Sequence, residues 1–153
     1  MINPTKADYQ SICQEIRLVS SGQIIFTNGC FDVLHLGHLS VLSHCFGLKK
    51  NGGTVVVGLN SDSSVQRQKG PDRPIQDEHT RAMILFSLKY VDHVIVFDES
   101  TPAELISVLK PDVIVKGGDY DPSTVVGREV APISIAPLVQ GQSTTDLIRR
   151  IRG

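Results

Sequence analysis

Five short runs of β-branched and other apolar residues recur along this 153-residue chain, and each is separated from the next by a stretch with helical character. The runs are Ile24–Thr27, Thr54–Leu59, His93–Phe97, Val113–Val115 and Ile133–Ile135. They are too short for helices and are apolar without a strict alternation, and Asn28-Gly29 breaks the first after Thr27. Strands of that kind are buried on both faces, which parallel sheets flanked by helices provide. The intervening stretches supply the helices. Ile12, Ile16 and Val19 share one face over Ala7–Ser20. A helix over Gly37–Lys50 turns Val41, Leu42 and Cys45 inward, and Asn51-Gly52-Gly53 ends it. Asp77 caps a helix to about Tyr90, with Met83, Ile84 and Leu88 inward. Thr101-Pro102-Ala103-Glu104 starts another that ends near Lys110, with Thr101 as cap. Thr144–Ile151 closes the chain. Asn60–Gln76, polar and basic, reads mostly as loop with one helical turn near Asp62–Val65, and Gly117–Pro132 reads mostly as loop.

The alternation predicts an α/β fold: a single-domain, Rossmann-like parallel sheet with helices on both faces. Residues 1–21 form an N-terminal helix and residues 22–152 the catalytic core. The net charge, 15 − 16 = −1, gives no global attraction to nucleic acid or to an anionic membrane. With 41% hydrophobic residues the chain is no disordered tail. No apolar run reaches the ~18 residues of a membrane span, and Met1–Gln10 lacks the apolar core of a secretory signal. Cys13, Cys30 and Cys45 are odd in number and form no CxxC pair, which argues against disulfides and structural zinc and fits reduced thiols in a cytoplasmic protein.

Ligands on such sheets bind beyond the carboxyl ends of the strands. After the first strand stands Thr27-Asn28-Gly29-Cys30-Phe31-Asp32-Val33-Leu34-His35-Leu36-Gly37-His38. Two histidines flank a glycine where a helix begins, and a helix N-terminus favours an anion. Gly37 removes a side chain where backbone and phosphate come close. Both imidazoles can donate to phosphate oxygens, more strongly when protonated, and a bound phosphate helps to keep them so. A bare HxGH is equally compatible with two structural histidines that cap a turn. No GxGxxG follows the first strand, which disfavours a dinucleotide-dependent oxidoreductase.

The stretch from Asn28 to His38 resembles the signature of the nucleotidyltransferase (cytidylyltransferase-like) superfamily. Further matches follow in order: Asn60-Ser61-Asp62, Lys69-Gly70, Arg73-Pro74, Arg81, Tyr90-Val91-Asp92, Lys116-Gly117-Gly118-Asp119-Tyr120 and Ser143-Thr144-Thr145. The phrases NGCFDVLHLGH, LKPDVIVKGGDY and GQSTTDLIRRIR are most similar to the heptose 1-phosphate adenylyltransferase domain of ADP-heptose synthesis. In many bacteria that domain follows a sugar kinase. None precedes it in this sequence, so the resemblance implies a stand-alone form paired with a separate sugar kinase, and a homodimer is compatible with it. Glycerol-3-phosphate cytidylyltransferase is the rival. It differs by an Arg where this chain has Leu138 and by a GDDW-like run in place of KGGDY. Glu129–Pro132 runs into Ile133 with less sequence than the heptose pattern has there, which leaves the sugar open.

The resemblance implies attack of a sugar phosphate oxygen on the α-phosphorus of ATP, with release of pyrophosphate. A phosphate nucleophile needs no general base, so the protein positions groups and neutralises charge. His35, His38 and Lys69 are then catalytic, with Lys69 following charge onto pyrophosphate. Thr27, Asn28, Gly29, Cys30, Phe31, Gly37, Asn60, Lys116, Gly117, Asp119, Ser143, Thr144 and Thr145 bind nucleotide and phosphate. Asp32, Arg73, Arg81 and Tyr120 support them. Asp32 orients a histidine or the loop backbone, while Arg81 holds the loop, holds a phosphate or makes a surface ion pair. Arg67 is a weaker candidate for phosphate. Mg²⁺ arrives with the triphosphate, with no site made by protein side chains alone. Leu138 and Val139 suit a purine face. Cys30 is not a nucleophile, and His44, His79 and His93 are structural or at the surface.

Overall fold

A computed structural model describes residues 6–153. The first five residues of the expected N-terminal segment lie outside the described residues. In chain order the elements are α1 (Lys6–Val19), β1 (Ile24–Gly29), α2 (Leu36–Gly47), β2 (Thr54–Asn60), α3 (Asp62–Lys69), α4 (Glu78–Phe86), β3 (His93–Phe97), α5 (Ala103–Leu109), β4 (Val113–Lys116), a 3₁₀ turn at Pro122–Thr124, β5 (Ile133–Ile135) and α6 (Thr144–Arg152).

The five strands pair in the order β3-β2-β1-β4-β5, all parallel. β1 is central, and the chain runs outward from it to one side through β2 and β3, then to the other through β4 and β5. The order therefore reverses between β1 and β4, which opens a crevice at their carboxyl ends. Successive strand residues face opposite layers. Phe26 packs with Tyr9, Cys13 and Ile16 of α1 and Leu105, Ile106 and Leu109 of α5. Ile25 turns the other way and packs with Cys45 of α2, Val55 and Val115. Leu42 of α2 and Ala82 and Leu85 of α4 cover that second face further along the sheet.

Several sequence expectations are corrected. Asn28-Gly29 does not break β1; both residues stay in register, opposite Gly58 and Leu59 of β2. The inner face of α1 is Tyr9, Cys13 and Ile16, while Val19 is 72% exposed. α2 ends at Gly47 rather than Lys50. α3 is a full eight-residue helix where mostly loop was expected; the Ser61 side chain caps it by accepting from Ser64 N. Asp77 caps α4 as expected, but the helix stops at Phe86, and Arg81, Ala82 and Leu85 are its buried residues rather than Met83, Ile84 and Leu88. Pro102, not Thr101, is the cap residue of α5, with no side-chain cap hydrogen bond.

Candidate active site

A cleft of about 400 Å³ opens at the carboxyl ends of β1 and β4. His35, which immediately precedes α2, keeps an extended backbone, and its Nδ1 accepts from Gly37 N at 3.1 Å. That bond fixes the tautomer, so the ring's donor is Nε2. The His38 ring stacks on it with centroids 3.9 Å apart. Phe31 closes the other side of His38 at 5.2 Å. A Cβ on residue 37 would come within 2.9 Å of the His35 ring. Gly37 is therefore needed first by the stacked histidines, a more local reason than the approach of a phosphate.

Both imidazoles are held neutral in the ligand-free chain. Burial lowers the His35 pKa. Burial, with His35 adding to it, takes His38 down to about 4. Nδ1 of His38 is buried without a hydrogen-bond partner. A proton there would be a donor with no acceptor, so the proton belongs on Nε2.

Asp32 is buried and binds no histidine. Its carboxylate accepts from Ile75 N at 2.9 Å, Gln76 N at 3.0 Å and Arg73 Nε at 2.8 Å, and pairs with Arg73 Nη2 at 2.8 Å. Burial works to raise its pKa, but the hydrogen bonds from Ile75, Gln76 and Arg73 prevail and hold it below the usual carboxylate range. Of the two roles expected for Asp32, holding loop backbone is the one the contacts bear. The segment 70–76 is thereby stapled to the turn after β1. Thr144 Oγ1 donates to Asp32 O at 3.0 Å and brings the start of α6 to the same turn. Ser143 caps α6 by accepting from Asp146 N. In the turn itself Phe31 and Val33 have φ of 46° and 53°, the left-handed region that bulky residues avoid and that surrounding contacts must impose.

Arg81 is 1% exposed and does not line the cleft. Its guanidinium donates to Gln76 O, Cys30 O and Asn60 O and pairs with Asp62 at 2.7 Å. It binds four segments together from behind, so it supports the loop and holds neither a phosphate nor a surface partner. Arg67 pairs with Asp98 away from the cleft. His44 bonds Ser134 at 2.8 Å. Burial raises the Cys30 thiol pKa against the pull of Lys69, Arg81 and Arg73, so the thiol stays protonated. Every other residue expected in the site lines this one cleft: the turn after β1, Asn60, Lys69, Arg73, the Lys116–Tyr120 segment and Ser143–Thr145. Sequence reasoning missed Val41, Gln68, Gly118 and Pro137, which also line it, as does Gln142. A Cβ on residue 118 would lie 2.7 Å from Leu138 Cβ and N, so Gly118 lets the segment after β5 cross close by. The GQSTT phrase already contained Gln142.

The profile of the cytidylyltransferase-like family matches residues 26–149. The chain belongs to that family. Among curated relatives it is 47% identical over 146 residues to the bifunctional protein HldE of Nitratiruptor sp., covering 91% of this chain and 31% of that one. It is 50% identical over 133 residues to HldE of Syntrophotalea carbinolica, with 84% and 26% covered. The chain thus spans less than a third of the length of these relatives. Among solved structures, the lipopolysaccharide core biosynthesis protein of Thermoplasma volcanium superposes with a TM-score of 0.61 at 29% identity, covering 79% of this chain and all of that one.

Proposed function

We propose that the chain is a heptose 1-phosphate adenylyltransferase, which joins the AMP moiety of ATP to a heptose 1-phosphate and releases pyrophosphate. The observation that carries the reading is the stacked His35–His38 pair at the start of α2, set in the cleft at the β1/β4 reversal. The HldE relatives and the lipopolysaccharide core structure support the sugar class. Residues 22–152 form the catalytic core. Partner proposals follow the same reading: a sugar kinase supplies the phosphate, and the functional unit is compatible with a homodimer in the cytoplasm. No described helix is long and apolar enough to cross a membrane.

The chemistry is an in-line displacement at the α-phosphorus. The sugar phosphate is already an anion, so no residue need act as a base. The N-termini of α2 and α6 border the cleft and offer backbone N–H groups to phosphate oxygens. Neutral His35 and His38 each donate one hydrogen bond from Nε2 to oxygens that gain charge in the transition state. Lys69, in the last turn of α3, supplies positive charge. Among the described residues no three His, Cys, Asp or Glu side chains converge as a metal cage. Mg²⁺ would therefore come with the triphosphate and be held by it rather than by protein side chains, and when bound would supply Lewis-acid neutralisation of phosphate charge.

The rival substrate pair, CTP and glycerol 3-phosphate, is disfavoured by Leu138. It lines the cleft but has no donor for the O2 and N3 acceptors of cytosine. A pyrophosphate-release screen tests the reading by crossing ATP, CTP and GTP with heptose 1-phosphates and glycerol 3-phosphate. Release is expected with ATP and a heptose 1-phosphate. Release confined to CTP with glycerol 3-phosphate would overturn it.

A further inference from the structure

Lys116 ends β4 beside the point where the strand order reverses, with its ammonium buried against the end of β1. Nζ donates to Asn28 Oδ1 at 2.6 Å and to Asn28 O at 3.2 Å. The Tyr120 ring centroid lies 5.2 Å from it. An ammonium has three donors and no acceptor, whereas a primary amide has a carbonyl oxygen at one corner and an NH₂ at the other. Facing Lys116, the Asn28 amide can present only its oxygen. Its NH₂ is turned away, and Asn28 lines the cleft.

We propose that Lys116 is a positioning residue: it fixes the Asn28 amide with the NH₂ toward the cleft, where that group donates to a phosphate oxygen of bound nucleotide. The proposal deepens the adenylyltransferase reading and rests on it. Turned the other way, Asn28 would aim a carbonyl dipole at a polyanion. Asn28 thus works as a neutral phosphate donor whose orientation is set by a charge behind it.

The arrangement depends on the proton of Lys116. A neutral amine has a lone pair that accepts from Asn28 Nδ2 as readily as its N–H groups donate to Oδ1, so both amide orientations become available. Burial lowers the ammonium pKa to about 8, against the pull of Asp119 and Cys30. The groups that face it are Asn28 of β1, Cys30 in the turn after β1, and Asp119 and Tyr120 after β4. Burial raises both the Cys30 thiol and the Tyr120 phenol. Lys116 is therefore the first of this group to titrate above neutral pH.

The test is ATP affinity by calorimetry, with the full chain, Mg²⁺ and no sugar phosphate, at about pH 7 and about pH 9. Bound phosphate raises the Lys116 pKa, so wild type should lose roughly fivefold or more between the two, because each unit of pKa difference between free and bound protein is a factor of ten. Lys116→Arg keeps its charge at both pH values and should change less than about twofold. Asn28→Asp puts an acceptor where the NH₂ was and should weaken ATP at pH 7 by at least about tenfold. An equal alkaline loss in wild type and Lys116→Arg overturns the proposal, as does a wild type with no loss or an Asn28→Asp variant that binds like wild type. If Lys116→Arg does not fold, the wild-type pair and Asn28→Asp decide. A wild type that binds no ATP at pH 7 refutes the adenylyltransferase reading itself, and the proposal with it.

Discussion

Asp32→Asn isolates the staple between the turn after β1 and the segment 70–76. The substitution keeps size and shape but removes the charge and replaces one acceptor oxygen by a donor NH₂. Oδ2 takes both Arg73 contacts and the Ile75 N–H, and Oδ1 takes the Gln76 N–H. An amide has one oxygen, so it can keep one side of this set and must set its NH₂ against donors on the other. The Asp32 side chain is 0% exposed and that of Arg73 14%. Removing one partner of a buried ion pair costs about 3–5 kcal/mol. Arg73 lines the cleft and regains some hydration when released, so about 3 kcal/mol is the expected loss. For a chain of this size that is a fall in Tm of about 6–12 °C. Thermal unfolding followed by circular dichroism at pH 7 reads it. The pH dependence gives a second check. The folded-state pKa of Asp32 is lowered. Its contribution is therefore present above the unfolded-state value near 4 and is lost as pH falls through the lower folded value. The gap between wild type and variant should be full at pH 7 and close below about pH 4. A Tm within about 1 °C of wild type at pH 7 would show that the carboxylate does not hold the segment.

His35→Ala and His38→Ala should each lower kcat by about 10²-fold or more, the scale of one preorganised donor, with circular dichroism spectra unchanged; near wild-type turnover in both would remove the assignment of the pair. Lys69→Ala should lower kcat more than it weakens sugar-phosphate binding, because its charge acts on the leaving pyrophosphate; steady-state kinetics with varied sugar phosphate reads the split, and unchanged kinetics would return Lys69 to the surface. With one fixed sugar phosphate, kcat/KM should be higher for ATP than for CTP, since Leu138 offers no donor to cytosine; a clear CTP preference sinks that argument.

The convergence of the site was legible because its motifs follow the carboxyl ends of strands, and parallel topology brings those ends together. The turn after β1, Asn60 after the core of β2, Lys116–Tyr120 after β4 and Ser143–Thr145 meet for that reason. α3 was not legible. Its sequence DSSVQRQK has one apolar residue, Val65, so no hydrophobic period marks it. It is held by its Ser61 cap and by charge at both ends, through Asp62 to Arg81 and through Arg67 to Asp98. α4 misled for the complementary reason. An apolar count puts Met83 inside and Arg81 outside, yet Arg81 is buried and Met83 is 44% exposed. The guanidinium can be buried because three carbonyls and Asp62 meet its donors. That partner set is spread over residues 30–76 and leaves no local trace. Asn28-Gly29 looked like a turn dipeptide, but pairing with Gly58 and Leu59 of β2 keeps it extended.

The neutral histidine pair determines where positive charge in the cleft must come from. Two imidazolium rings 3.9 Å apart would repel by about 4 kcal/mol at an effective dielectric constant of about 20. The pair therefore cannot serve as two cations, and burial already disfavours one. Three flexible cations line the cleft: Lys69, Arg73 and Lys116. Arg73 is committed to Asp32, and Lys116 to Asn28. Among the described residues Lys69 enters no ion pair with a carboxylate, and it is exposed. A cation already held by a buried carboxylate can position a phosphate but cannot follow it. A free ammonium on a four-carbon stem can stay with charge as it passes from the α,β-bridging oxygen onto the departing pyrophosphate. The division of labour follows from these contacts. In the proposed reaction Arg73 and the Lys116–Asn28 pair set geometry, the histidines donate without adding charge, and Lys69 supplies the charge that tracks the leaving group.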